Sequence, residues 1–162
     1  MPVLNKTAVR MEADRNRHAG YDLTVAVMAT ADAFLRESHR LFRPHGLTGA
    51  QYNVLNILAA KPKGISQREL GDVLVVDRSN VTGLLDRMGH AGWVRRADDP
   101  SDRRAYRVVL TPEGRQLWAK VRPLYLEVVA QLTRGLSAGQ IHTSLETLCH
   151  LQAGAGKWHL PP

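Results

Sequence analysis

Cys149 is the only cysteine in this 162-residue chain. That count rules out an internal disulfide and a cysteine-based zinc cluster. Long apolar runs are also missing: no uncharged stretch has the length needed to cross a bilayer. The opening segment, Met-Pro-Val-Leu-Asn-Lys-Thr-Ala-Val-Arg, has no apolar region long enough for a signal peptide. A soluble, cytoplasmic protein with no membrane association is therefore expected. A phosphate-cradling glycine loop, an HExxH helix and a nucleophile elbow are absent as well. No enzymatic activity, catalytic residue or cofactor is expected. The histidines, His18, His39, His45, His90, His142, His150 and His159, are scattered. No pair has the spacing of a one-face clamp in the long helix inferred below, so no metal site is expected.

What the chain does have is a globular balance, 44% hydrophobic and 23% charged residues, enough for one compact domain. The formal net charge is +7, with a pI of about 10.1. Such a surplus suits nucleic acid, an anionic membrane or an acidic partner, and its placement along the chain decides between them.

The hydrophobic period is helical from Tyr21 to Arg43, with Leu23, Val27, Ala31, Phe34 and Leu41 on one stripe widened by Met28, Leu35 and Phe42. Pro44-His45-Gly46 stops it. Thr48 with Gln51 forms a capping box for a helix through Tyr52, Leu55 and Leu58, and Lys61-Pro62-Lys63-Gly64 breaks that one. Two short helices follow. Ser66 and Glu69 cap the first, with Leu70, Val73 and Leu74 as its buried face; Asp77 caps the second, with Val81, Leu84, Leu85 and Met88 inward. Gly92 supplies a left-handed cap after His90.

The period then alternates. Trp93–Arg96 and Tyr106–Leu110 read as two strands of a hairpin around the turn formers from Asp98 to Asp102. Thr111-Pro112-Glu113 opens a long helix through Leu117, Val121, Leu124, Val128 and Leu132, which Pro123 should kink and Gly135 should end. Ser137 and Gln140 cap a last helix carrying Ile141, Leu145 and Leu148. Cys149 on that helix, beside Leu148, reads as a buried structural thiol.

Two short helices joined by a tight link, followed by a basic hairpin, fit a helix-turn-helix with a wing. A helix that enters a major groove needs short or hydrogen-bonding residues at its start. Arg78, Ser79, Asn80 and Thr82 meet that need, with Arg87 further along the same helix. On the hairpin, Arg95, Arg96, Arg103, Arg104 and Arg107 concentrate positive charge, and Asp102 is placed to orient a neighbouring arginine. The fold class is thus mainly α with a small β part: a winged helix-turn-helix between N- and C-terminal dimerisation helices. The outer helices carry more apolar surface than so small a reading head covers, and an isologous dimer would bury it.

The run Ser66–Leu74, then Asp77–Met88, Gly92–Arg96 and Asp99–Gly114 resembles the MarR family. Its most specific part is Asp102-Arg103-Arg104 followed by Leu110-Thr111 and Gly114. The resemblance implies a MarR-like domain over 19–152, with dimerisation helices at about 19–45 and 112–152 and the winged module at about 48–111. Residues 1–18 then form a flexible arm or frayed helix start, and 153–162 a disordered tail. It also implies a homodimer on a pseudo-palindromic double-stranded operator, commonly as a repressor. In the resemblance Arg78, Ser79, Asn80, Thr82 and Arg87 fall on the recognition helix, and Arg95, Asp102, Arg103 and Arg104 on the wing. A small aromatic or phenolic anion is the effector type the family suggests, with Arg36, His39, Tyr52, Trp118, Arg122 and Tyr125 as candidates to contact it. The rival to DNA binding is a winged helix that binds protein; the arginine-rich wing argues against it.

Overall fold

The computed structural model describes residues 6–74, 80–99, 102–155 and 157, with side chains from His18 onward except at 102–104. Its elements run α1 (Lys6–Phe42), a 3-10 turn (Arg43–His45), α2 (Gly49–Ala59), β1 (Ile65–Ser66), α3 (Gln67–Val73), α4 (Val81–His90), β2 (Val94–Asp99), β3 (Asp102–Leu110), α5 (Pro112–Leu132) and α6 (Ala138–Ala155). They form two compact units, residues 1–122 and 123–162.

The capping boxes fall where the sequence puts them. Thr48 Oγ1 accepts from the Gln51 N–H at 3.2 Å while Gln51 Oε1 accepts from the Thr48 N–H at 2.8 Å. Ser66 with Glu69 and Ser137 with Gln140 repeat the exchange at the starts of α3 and α6. Each box satisfies donors that the first helical turn leaves without intrahelical partners. At the end of α4, Gly92 takes φ +73°. The Trp93 N–H then donates back to the Met88 carbonyl at 2.9 Å, closing the helix as the glycine predicts.

Three features differ from the sequence reading. First, α1 is already helical at Lys6, so the leading segment is a helix start from there and not an arm. Second, the hairpin strands are longer than the alternation suggested. Asp98, Asp99 and Asp102 belong to β2 and β3, with Asp98 opposite Tyr106, Asp99 opposite Asp102 and a register shift between Asp98 and Asp99. Cross-strand partners hold these acids in the ladder, and the presumed turn formers yield to that pairing. Third, Ile65 and Ser66 form a strand of their own, pairing with Val108 and Arg107, so the sheet has three strands in the order β1-β3-β2. Gly64 makes this approach possible. Its φ is +72°, and a Cβ there would lie 2.5 Å from Val109 Cγ1 and 2.6 Å from the Val108 carbonyl oxygen.

The core lies in the first unit. Val54, Leu55, Leu58, Leu70, Met88 and Val121 have no measurable exposure, and Phe42 stacks on Tyr52 with ring centroids 4.5 Å apart. Val81, Leu84, Leu85 and Met88, the inward face read from the sequence, are all buried. By contrast, α1 exposes Tyr21, Leu23, Val25, Met28, Phe34 and Leu35.

In the second unit the α5 helix continues through Pro123 to Leu132. Leu124, Leu126, Leu132, Leu136, Leu145 and Leu148 are exposed there, and no residue of α6 is buried. Cys149 is exposed, which overturns its reading as a buried thiol: in the isolated chain α6 has no inward face to hide it. The same helix runs on to Ala155, into the segment read as a disordered tail. No described helix is long and apolar enough to cross a membrane.

Candidate nucleic-acid interface

The site is built on one end of α3, on α4 and on the β2–β3 hairpin, all in the first unit. Because Val81, Leu84, Leu85 and Met88 anchor α4 in the core, the opposite face of that helix is held outward. Thr82 and Arg87 are exposed on it, and Asn80, the residue at its N-cap, is exposed as well. Arg78 and Ser79, and the proposed cap Asp77, lie outside the described residues. So do the side chains of Asp102, Arg103 and Arg104, whose backbone belongs to β3.

The arginines of the hairpin divide into two kinds. Arg95 is exposed and has no hydrogen bond or ion pair among the described residues. Arg96 and Arg107 are instead committed to the scaffold. Arg96 Nη2 donates to Asp86 Oδ1 at 3.1 Å, tying β2 to α4. Arg107 Nε donates to Asp99 Oδ2 at 2.6 Å, and its Nη1 reaches the Gly64 carbonyl oxygen at 3.5 Å. The sequence reading pooled both with the basic wing; in the structure they brace it.

The Leu110-Thr111…Gly114 stretch also has a structural reason. Thr111 Oγ1 donates to the Gly92 carbonyl at 2.6 Å and accepts from the Gly114 N–H at 3.0 Å, while the Thr111 N–H donates to the Trp93 carbonyl at 3.1 Å. The residues that end α4 are thereby latched to those that begin α5. Gly114 sits so close that a Cβ would lie 2.0 Å from the Trp93 carbonyl oxygen.

One polar contact went unread in the sequence. Gln67 Nε2 donates to Thr82 Oγ1 at 2.7 Å, bridging the two short helices. The α3 start that carries Gln67 is fixed by its capping box. There the Ser66 N–H, followed by the Ser66 hydroxyl, holds the Glu69 carboxyl below the usual glutamate range.

The effector candidates are only partly brought together. Trp118 Nε1 donates to Asn56 Oδ1 at 3.2 Å, and the Arg122 guanidinium lies 5.5 Å from the centre of the Trp118 ring. Tyr52 is a core residue packed on Phe42. On α1, Arg36 pairs with Asp32, and His39 is exposed. Tyr125 belongs to the second unit. Among the described residues no cluster of three or more histidine, cysteine or carboxylate side chains is placed to hold a metal ion.

A family model, that of the MarR family, matches residues 45–105, the span from the turn before α2 to β3. The HTH-type transcriptional regulator TtmR of Methylorubrum extorquens is 37% identical over 143 residues, which is 86% of this chain and 72% of that protein. The chain belongs to the MarR family. Solved MarR-family structures share its fold. A mutant of MarR from E. coli, complexed with operator DNA, superposes with a TM-score of 0.70 at 28% identity over 80% of this chain and 93% of that one. CouR from Rhodococcus jostii RHA1, bound to p-coumaroyl-CoA, gives a TM-score of 0.74 at 25% identity over 86% of this chain and 96% of that one. Membership makes this a winged-helix transcriptional regulator.

Proposed function

We propose that this MarR-family regulator binds a pseudo-palindromic operator as a homodimer and represses transcription until a small aromatic or phenolic anion releases it. The observation that carries the reading is the division of α4. Its apolar residues are sunk in the core, while Thr82, Arg87 and the N-cap Asn80 stand exposed, and Asp86 of the same helix ties it to Arg96 of the β2–β3 hairpin. Asn and Arg present the donor and acceptor geometry that adenine and guanine edges accept in a major groove. Arg78 and Ser79 complete the reading helix in this proposal, and Arg95, Asp102, Arg103 and Arg104 the wing. The family's operator-bound member supports it at the level of fold.

Homodimerisation is supported by the apolar side chains that α1 exposes within the first unit and those that α5 and α6 expose within the second. A second copy of the chain covers such surface with no new chemistry. For the effector, the Trp118 ring with Arg122 over it offers stacking and a positive charge to an aromatic carboxylate. Arg36, His39 and Tyr52 of the same unit remain part of that proposal. The protein acts in the cytoplasm, without catalysis and without a cofactor.

The test is selection of sites from a random duplex library, followed by binding at several salt concentrations for the wild type and for Arg103→Ala/Arg104→Ala. An inverted repeat with half-sites roughly 34–36 Å apart, a steep salt slope and a clear loss in the double variant are expected. Salt-sensitive binding without a preferred sequence reduces the protein to a non-specific DNA binder. No binding at all favours a protein-interaction winged helix.

A further inference from the structure

Thr82 carries the only hydroxyl described on the exposed face of α4's first turn, and a hydroxyl is ambivalent: it donates one hydrogen bond and accepts up to two. Left to itself, a helical threonine divides between two χ1 rotamers, and its O–H swings to whatever acceptor is near. In this chain Thr82 is not left to itself. Gln67 Nε2 donates to Thr82 Oγ1 at 2.7 Å, at the short end for an N–H···O bond. Gln67 is held in place from behind. It is the first residue of α3, directly after Ser66, whose capping box with Glu69 and pairing with Arg107 of β3 fix the backbone. Gln67 is half-buried and Thr82 exposed, so the donor is part of the scaffold and the acceptor part of the surface.

We propose that Gln67 is a positioning residue that sets the base preference of Thr82, turning its hydroxyl into an outward-facing donor. With Oγ1 receiving the amide proton from behind, the hydroxyl proton is directed away from α3, toward what α4 faces. A donor at that place selects bases that offer a major-groove acceptor: O6 or N7 of guanine, N7 of adenine, O4 of thymine. It ranks these above cytosine, whose major-groove edge presents the N4 amine as a donor and meets only the single lone pair that Gln67 leaves on Oγ1. The inference rests on the reading of α4 as the DNA-reading helix and adds to it a residue on the preceding helix that contacts no base itself.

The experiment uses the full-length regulator and its selected operator, together with a panel of duplexes each changed at one base pair. Competition binding is measured for the wild type, Gln67→Ala, Gln67→Glu, Thr82→Val and Thr82→Ser, with thermal unfolding as a control for folding. One position in each half-site should discriminate against cytosine by about tenfold in the wild type. Thr82→Ser should keep that preference and Thr82→Val should erase it. Gln67→Ala should flatten it at that position and no other. Gln67→Glu replaces the amide donor by a carboxylate acceptor, draws the hydroxyl proton inward, and should move the preference toward cytosine. A Gln67→Ala variant that weakens every duplex equally, or leaves the panel unchanged, overturns the assignment while the operator reading stands. A wild type with no base preference anywhere overturns both.

Discussion

The Arg107 guanidinium closes on the Asp99 carboxylate with Nε 2.6 Å from Oδ2, and the Asp99 side chain retains only 11% of its exposure. The pair spans the hairpin just behind its tip, and Arg107 extends toward the Gly64 carbonyl at the start of β1. A carboxylate this sheltered costs more when its partner is removed than the intact pair contributes. Arg107→Ala should therefore destabilise the protein by about 2 kcal/mol, and Asp99→Ala by less. Chemical denaturation of the two single variants and the double variant measures the coupling. A double variant no worse than Arg107→Ala alone is the expected result.

Gly114→Ala should be among the most damaging single-methyl additions in the chain. The new Cβ would meet the Trp93 carbonyl oxygen at 2.0 Å, with the Trp93 carbonyl carbon at 2.9 Å, and both are backbone atoms that cannot rotate aside. A loss of about 3 kcal/mol or more follows from overpacking of this kind. Thr111→Val, which keeps the shape and removes the hydroxyl's two bonds, should cost about 2 kcal/mol. Thermal melts of both variants check the order.

The Glu69 carboxyl is held below its ordinary range by the Ser66 N–H and then the Ser66 hydroxyl. A group whose pKa is depressed by folding contributes stability above its unfolded value and loses it as pH falls through the folded value. The capping contribution to α3 is thus present at neutral pH and disappears on acidification. Glu69→Gln keeps an acceptor for the Ser66 N–H but does not titrate. The melting-temperature advantage of the wild type over Glu69→Gln should shrink steadily from about pH 6 to about pH 3.

Trp118, hydrogen-bonded to Asn56 and overlain by Arg122, is where the proposed effector response can be tested apart from DNA binding. Trp118→Ala and Arg122→Ala should each raise the concentration of an aromatic carboxylate needed to release the operator by about tenfold. Ligand-free operator affinity should stay within about twofold of wild type. Titrations of a labelled operator complex with a panel of aromatic carboxylates read both quantities, and equal losses in both would remove Trp118 from the proposed effector site.

The fold was legible in the sequence wherever its cause is local. The capping boxes at Thr48, Ser66 and Ser137 and the left-handed Gly92 are decided by residues within one helical turn. The buried stripe of α4 follows from a period of similar reach. What escaped depends on register across distance. Ile65-Ser66 is too short to show alternation, and it becomes a strand only because β3 passes beside Gly64. Arg107 counted as one more wing cation until the hairpin register brought Asp99 beside it. Gln67 and Thr82 are fifteen positions apart, and nothing in either residue's neighbourhood announces the other.

The two-residue strand β1 ties the hairpin to the base of α3, and Arg96 with Asp86 ties it to α4. Hairpin and α4 are therefore one casting, joined at both edges. In the homodimer proposed above, a ligand would gain little by bending either casting. It would act instead by changing the distance and angle between them, so that two heads which each still match a half-site could no longer reach both at once.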